Sequence, residues 1–242
     1  MIKLYGCDID MLLKKKENKK YINSCFIIKI LLFISLFNVA NINLAFGSDN
    51  DSSCKQTILI DPGHGGSDGG AKSKSGTNEK DINLSISHKL KDKLQEEGYT
   101  VYMTREDDVE LKPKKKADLE ARCKMKQETK CDAFISIHQN KFSSAKCYGA
   151  QAWYSDYKDS EKFALCIQNS LKDTINNENK RIPKAAKKQY KILRDGYEAP
   201  AIILECGFIS NYNEEQQLKT DEYQDKIVEG IVNGVNKYFS EN

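Results

Sequence analysis

The stretch of sequence that decides the fold is 57–70, TILIDPGHGGSDGG. Its first four residues are β-branched or apolar, which predicts a short strand buried in a sheet. A glycine-rich loop follows, from Asp61 to about Asn78, and it carries His64. The loop lacks both the Gly-Lys-Ser/Thr ending of a phosphate-binding P-loop and the G-x-G-x-x-G spacing of a dinucleotide site. We therefore expect a strand, a histidine-bearing loop and then a helix, with no nucleotide site.

The chain beyond this loop alternates between the two kinds of regular pattern. Residues 79–97 carry apolar side chains at helical spacing, and Gly98 ends the pattern. Further apolar runs predict strands at 100–104, 132–137, 149–154, 190–193 and 201–205, and helical patterns cover 114–129, 158–176 and 212–239. Strands that alternate with helices predict a single α/β domain of three layers: a mostly parallel, twisted sheet with helices on both faces.

The N-terminal segment 1–47 has the pattern of an export signal. A lysine-rich stretch at 14–20 precedes the apolar run 26–37, and the small residues at Ala45 and Gly47 allow cleavage after Gly47. Polar residues interrupt the apolar run, which falls below the ~20 residues of a membrane-spanning helix. We expect a cleaved signal peptide and an exported protein; an uncleaved membrane anchor is the alternative.

Beyond the leader, the chain is expected to have two parts. Residues 48–55 are predicted to be a flexible mature N-terminus, and 56–242 a single folded domain. Translation could also start at Met11, because the charged part of the leader begins just after it.

Charge excludes one class of partner. Residues 1–47 contain seven lysines and three acidic residues, so 31 of the 38 basic and 32 of the 35 acidic residues lie in 48–242. The exported part is nearly neutral and has no basic stripe, which argues against nucleic-acid binding. The lysine- and glutamate-rich helices are expected to present solvated faces.

Six cysteines lie beyond the leader, at positions 54, 123, 131, 147, 166 and 206. No pair has the C-x-x-C spacing of a metal knuckle. Disulfides and free thiols are both compatible with an exported domain of this size, which is large enough to fold without cross-links.

Three side chains that can bind a metal or transfer a proton lie at or just beyond the ends of predicted strands. They are His64, His138 and Glu205. The carboxyl ends of the strands in an open α/β sheet form the crevice where ligands bind, so we expect these residues to converge. A histidine packed in the core and a glutamate in a buried salt bridge are the alternatives.

This residue set indicates a metal-dependent hydrolase. Two histidines and one carboxylate form a known catalytic zinc set that leaves one position for water. A further carboxylate nearby would move the proton of that water to the leaving amine. Zinc carboxypeptidases are a rival class, but they place His and Glu three residues apart, whereas His64 and Glu79 are 15 residues apart.

Five segments together resemble the family 3 N-acetylmuramoyl-L-alanine amidases. They are 58–71 (ILIDPGHGGSDGGA), 78–83 (NEKDIN), 103–105 (MTR), 134–140 (FISIHQN) and 200–211 (PAIILECGFISN). The resemblance runs from about 56 to 239, and the segments occur in the family's order.

The resemblance implies a phosphorylase/hydrolase-like amidase fold and one zinc ion per chain, with 56–242 as the catalytic domain. It implies that zinc is held by His64, Glu79 and His138, that Glu205 is the catalytic base, and that Asn140 helps to bind substrate. The substrate would be peptidoglycan, cut at the amide between N-acetylmuramic acid and L-alanine. Without the resemblance, Glu79 would be assigned to the dipole of the helix that it begins.

Three further positions bear on this resemblance. Arg105 is expected to be structural, and Gln139 stands where many members of the family have a small residue. Cys206 follows the expected base, and strand alternation points its side chain away from the site and into the core.

Within the family, the segments 149–155 and 112–130 are most similar to the germination-specific sporulation amidases of Bacillus and Clostridium relatives. That similarity implies a role in the spore cortex, in a step toward the muramic-δ-lactam needed for germination. It also implies a location in the intermembrane space of the spore and, for clostridial relatives, an activating lipoprotein partner. The alternatives are a vegetative autolysin or cell-division amidase, and a non-catalytic protein that binds peptidoglycan or a partner.

Overall fold

The internal strand β1 (Lys55–Pro62) is apolar without alternation because both of its faces are buried. Ile58 and Ile60 pack into the core on one face of the sheet, and Leu59 packs into the core on the other. A strand that is buried on both faces has no polar side to alternate with.

The computed structural model describes residues 55–176 and 178–241. The expected leader 1–47, nearly all of the expected flexible segment 48–55 and the alternative start at Met11 lie outside the described residues. None of the helices in the described ranges is long and apolar enough to cross a bilayer.

Within residues 55–176 and 178–241, six strands form one mixed sheet. Besides β1 they are β2 (Tyr99–Met103), β3 (Ala133–Asn140), β4 (Gln151–Tyr154), β5 (Lys184–Ala185) and β6 (Ala201–Phe208). Their order is β2-β1-β3-β6-β4-β5, and only the pairing of β4 with β6 is antiparallel. The predicted mostly parallel α/β sheet is confirmed.

Helices cover both faces of this sheet. They are α1 (Glu79–Glu96), α2 (Lys115–Thr129), α3 (Ser160–Thr174), α4 (Tyr212–Leu218) and α5 (Asp221–Ser240). Helices α1, α3 and α5 pack together over one core cluster, and α2 packs over the other with a single 3₁₀ turn at Lys191–Leu193. The expected three layers are present, with the second face covered more thinly than the first.

The predicted strand at 190–193 is wrong, since this segment is that 3₁₀ turn. Ile192 and Leu193 are buried as a strand's residues would be, but the Leu193 amide bonds back to the Tyr190 carbonyl. The buried Lys126 ammonium donates a hydrogen bond to the Ile192 carbonyl. This carbonyl is therefore satisfied without pairing to a neighbouring strand.

Other differences concern where elements end. Strands β3 and β6 run further than predicted, because His138 pairs with Glu205 and Asn140 with Phe208. His138 therefore lies within its strand rather than just beyond it, and Glu205 lies within its strand rather than at the end. The predicted helix at 212–239 is two helices, and the Thr220 hydroxyl caps the second of them by accepting from the Tyr223 amide.

Two buried cations contradict the expectation that the charged helices only present solvated faces. Arg122 is 3% exposed and Lys126 is fully buried, both on α2. The described cysteines at 123, 131, 147, 166 and 206 are free thiols, while Cys54 lies outside the described residues. Cys206 is buried in the core, as strand alternation predicts.

Candidate metal centre

His64 is presented by the loop that follows β1. Its backbone has φ of 63°, in the left-handed region that non-glycine residues rarely adopt. Gly63 lies directly against the imidazole of His138, and a Cβ at this position would overlap that ring. The loop can bring the two histidines together only because the residue between Pro62 and His64 has no side chain.

Glu79, the first residue of α1, lies between the two imidazoles. Its Oε1 is 2.8 Å from His138 Nδ1, and its Oε2 is 3.3 Å from His64 Nε2. The carboxylate also accepts from the amides of Ala71 and Gln139 at 2.7 and 3.1 Å. One ligand atom from each of His64, Glu79 and His138 lies within 4.8 Å of the others.

The charges in this cluster depend strongly on one another. Burial would raise the pKa of the Glu79 carboxyl, but hydrogen bonds and charge from His138 and His64 hold it well below its usual range. Burial would lower the pKa of His138, yet Glu79 outweighs it and raises that pKa to about 9. The pKa of His64 is raised against burial in the same way. The Glu79 carboxylate thus stabilises positive charge between the imidazoles of His64 and His138. A bound cation would supply that positive charge.

Glu205, on β6, lines the same cleft as His64, Glu79 and His138. It pairs in register with His138 on the neighbouring strand β3. Burial raises the pKa of this carboxyl to about 7, and the imidazole of His138 only partly opposes the shift. Its Oε2 is buried, and no residue in the described ranges bonds to it. A buried carboxylate oxygen that lacks a partner is costly, which points to a ligand or water at this position.

These residues line a cleft of about 520 Å³. Asn140 and Lys141 form part of its wall, as do residues 189–192, Arg194 and several residues of α2. Asn140 is half-buried, and its carbonyl accepts from the Ile209 amide, which holds the end of β3 in place. The structure thus brings Asn140 to the same cleft as His64, Glu79, His138 and Glu205.

Sequence reasoning missed two charged side chains that hold His64. Asp68 Oδ2 lies 2.9 Å from His64 Nδ1, and the i,i+4 spacing within a glycine-rich loop was the available signal. Arg122 donates to the His64 carbonyl at 2.8 Å, and nothing in its polar helix pointed to that contact.

Arg105 and His88 lie outside the cluster. Arg105 is buried and donates to the carbonyls of Pro62, Gly63 and Lys80. His88 is half-buried on α1, with Nε2 2.8 Å from the Glu106 carbonyl.

Comparisons with known proteins agree on one family. A family model described as N-acetylmuramoyl-L-alanine amidase matches residues 58–237. The chain is 38% identical to the germination-specific N-acetylmuramoyl-L-alanine amidase of Bacillus subtilis, over 76% of this chain and 80% of that protein. It is 35% identical to the probable cell wall amidase LytH of Staphylococcus aureus, over 76% of this chain and 59% of that protein.

A solved structure extends the likeness to the fold. The CwlD amidase of Clostridioides difficile, solved in complex with the GerS lipoprotein, is 37% identical and superposes with a TM-score of 0.73. The match covers 77% of this chain and all of that one. On sequence and fold together, this chain belongs to the N-acetylmuramoyl-L-alanine amidase family.

Proposed function

We propose that this protein is a zinc-dependent hydrolase of the amide between N-acetylmuramic acid and L-alanine in peptidoglycan. The observation that carries the proposal is the cluster of His64, Glu79 and His138, whose ligand atoms lie within 4.8 Å of one another. Beside it lies the half-buried Glu205, whose Oε2 is buried and has no partner among the described residues. Family membership supplies the substrate class, and the cluster supplies the chemistry.

The residues fit a zinc ion. Two imidazole nitrogens and one carboxylate oxygen are a donor set of catalytic zinc sites, which keep a further position open. The Glu79 carboxylate is fixed by two backbone amides, so its position depends little on the ion. Asp68 beside His64 Nδ1 is the kind of carboxylate partner that orients metal-binding histidines.

When bound, zinc would polarise the scissile carbonyl and lower the pKa of water. Glu205 is the general base in this proposal, since it accepts the proton of the attacking water and passes it to the leaving amine of L-alanine. Burial raises its pKa to about 7, which suits a group that accepts and then donates a proton near neutral pH. Asn140 is assigned to the substrate, from its place on the wall of the cleft.

The cellular role that we propose is in the spore cortex. It rests on the likeness to a germination-specific amidase and to the CwlD amidase. Removal of stem peptides there would be a step toward muramic-δ-lactam. Residues 1–47 would act as the export signal, residues 56–242 as the catalytic domain, and the intermembrane space of the spore as the destination. A lipoprotein is the expected activating partner, since CwlD was solved with one.

The alternative is a vegetative wall amidase, which the likeness to LytH supports. Muropeptide analysis of spores from a deletion strain separates the two roles. Loss of muramic-δ-lactam supports the cortex role, and unchanged spores with altered vegetative peptidoglycan support the alternative.

Activity is tested by incubating the zinc-loaded full chain with purified peptidoglycan and reading the products by mass spectrometry. We expect new L-alanine amino termini, and a loss of about 10²–10⁴-fold in rate for Glu205→Gln, which removes the proton acceptor. Glu214→Gln is the matched control, because Glu214 is a buried glutamate that accepts from the amides of Gly149 and Phe208 and does not line the cleft.

Retention of activity in Glu205→Gln would contradict the assignment of the base. No cleavage by the zinc-loaded wild type, even after addition of extract from sporulating cells, would contradict the proposed activity.

A further inference from the structure

Two buried arginines hold the backbone of the loop that presents His64. Arg105 donates to the carbonyls of Pro62 and Gly63, and Arg122 donates to those of Pro62 and His64. Arg105 and Arg122 are each only 3% exposed to solvent. Three successive carbonyls thus accept hydrogen bonds from arginine side chains.

The contact with Arg122 bears directly on the direction of the His64 side chain. A hydrogen bond to the His64 carbonyl fixes the peptide plane after His64, and bonds to the Gly63 carbonyl fix the plane before it. The two planes together set φ and ψ of His64, and hence the direction of its Cα–Cβ bond. With φ at 63°, this conformation persists only if the surroundings impose it.

Arg122 is itself held from both sides. Its Nε donates to Asp118 one turn earlier on α2 at 2.6 Å, and NH1 donates to Asp61 at the end of β1 at 2.8 Å. The guanidinium therefore links α2 to the sheet. Its planar fork donates to Asp61, Pro62 and His64 at once, which a single ammonium group cannot reproduce.

We propose that Arg122 is a positioning residue for metal binding, which acts by holding the His64 backbone in its left-handed conformation. Arg122 does not touch the metal or the substrate in this role. The inference rests on the proposed zinc role of His64. It predicts that zinc affinity depends on a side chain of α2 that carries no ligand atom.

The chain offers a matched control on the same helix. Lys126 lies one turn beyond Arg122, is fully buried and donates to the Ile192 carbonyl, with Asp195 at 3.0 Å. Neither of these two partners of Lys126 belongs to the loop at 62–64. Lys126→Met therefore removes a buried cation from α2 and leaves the support of His64 intact.

The experiment measures zinc affinity of the full chain by competition with a chromogenic chelator, and urea unfolding of the metal-free protein. We expect Arg122→Met to weaken zinc binding about tenfold or more, the scale seen when a partner that orients a metal ligand is removed. Lys126→Met should destabilise the fold and leave zinc affinity unchanged. Arg122→Lys should regain stability through Asp61 but still bind zinc about tenfold more weakly.

The outcomes separate this inference from the proposed function. A wild type that binds zinc, with Arg122→Met or Arg122→Lys binding equally tightly, would overturn the inference alone. Equal losses of zinc affinity in Lys126→Met and Arg122→Met would also overturn it, since a general loosening would then explain both. A wild type that binds no zinc would overturn the assignment of the metal centre itself. Arg122→Lys decides the question if Arg122→Met does not fold.

Discussion

Single residues in the loop after β1 show how closely this site depends on the absence of side chains. Gly63 lies against the ring of His138, and Gly70 lies against both His64 and the Glu79 carboxylate. Gly70 also has φ of 67°, which glycine adopts without strain. The glycines therefore let the three ligand-bearing residues approach one another, beyond giving the loop its turns.

Gly63→Ala should displace His138 or the loop, because the added methyl group would overlap the imidazole. Overpacking of this kind costs about 1–3 kcal/mol, and here the displacement falls on a proposed zinc ligand. We expect zinc affinity to fall at least about tenfold, measured by chelator competition.

Gly69→Ala is the control for that change, in the same loop. Its Cβ would come no closer than 3.7 Å to Asn78, and its backbone does not need glycine. Zinc affinity close to that of the wild type in Gly63→Ala, or an equal loss in Gly69→Ala, would contradict the argument from close approach.

At the scale of elements, Asp61 joins the end of β1 to three neighbours. It accepts from Thr104 just after β2, from Ser136 on β3 and from Arg122 on α2, at 2.6, 2.6 and 2.8 Å. Burial alone would raise the pKa of Asp61, but the charge of Arg122 and the two hydroxyls outweigh it and lower that pKa to about 2. The carboxylate is therefore ionised, and its partners fix the start of the site loop.

This depressed pKa predicts a pH dependence of stability. The folded-state pKa lies below the ordinary value of 3.8, so the contribution of Asp61 is complete above about pH 4 and is lost as the pH falls toward about 2. The shift corresponds to about 2 kcal/mol of unfolding free energy. Urea unfolding of the wild type should show this loss between about pH 4 and pH 2.

Asp61→Asn should be less stable near neutral pH, because Arg122 loses its charged partner. Its stability should also fall less steeply than that of the wild type over the acid range. Equal acid slopes for the two proteins would show that Asp61 does not titrate as proposed.

The order and type of most elements could be predicted from periodicity, because long apolar runs and helical stripes are local signals. The 190–193 segment could not, since its apolar residues are buried and the choice between a strand and a 3₁₀ turn depends on Lys126 from a distant helix. Strand β5 has only two residues and gives no pattern to detect.

The candidate site, too, could be predicted from the sequence only in part. His64, His138 and Glu205 could be singled out because their strands end at one edge of the sheet. Glu79 needed the family resemblance, since a glutamate at a helix start has an ordinary explanation in the helix dipole. Arg122 could not be found at all, because a buried arginine on a helix rich in charge has the same sequence pattern as an exposed one.

On the scale of the whole molecule, the asymmetry of the layers explains where the cleft lies. Helices α1, α3 and α5 form a thick layer on one face of the sheet, while the other face has α2 and the 3₁₀ turn. The cleft opens between α2, the segment 189–194 and the strand ends. The crevice at the carboxyl ends of β1, β3 and β6 is thereby left open to a polymeric substrate such as a glycan strand.

The central claim is that zinc held by two of the three histidines in this chain performs the hydrolysis. The most direct test measures bound zinc and peptidoglycan cleavage together in the full chain, with His138→Ala and, as a matched control, His88→Ala, whose ring lies outside the cluster. We predict one zinc per chain and equal cleavage in the wild type and in His88→Ala, and loss of both zinc and cleavage in His138→Ala. Zinc retained in His138→Ala, or cleavage by that variant without zinc, would contradict the account.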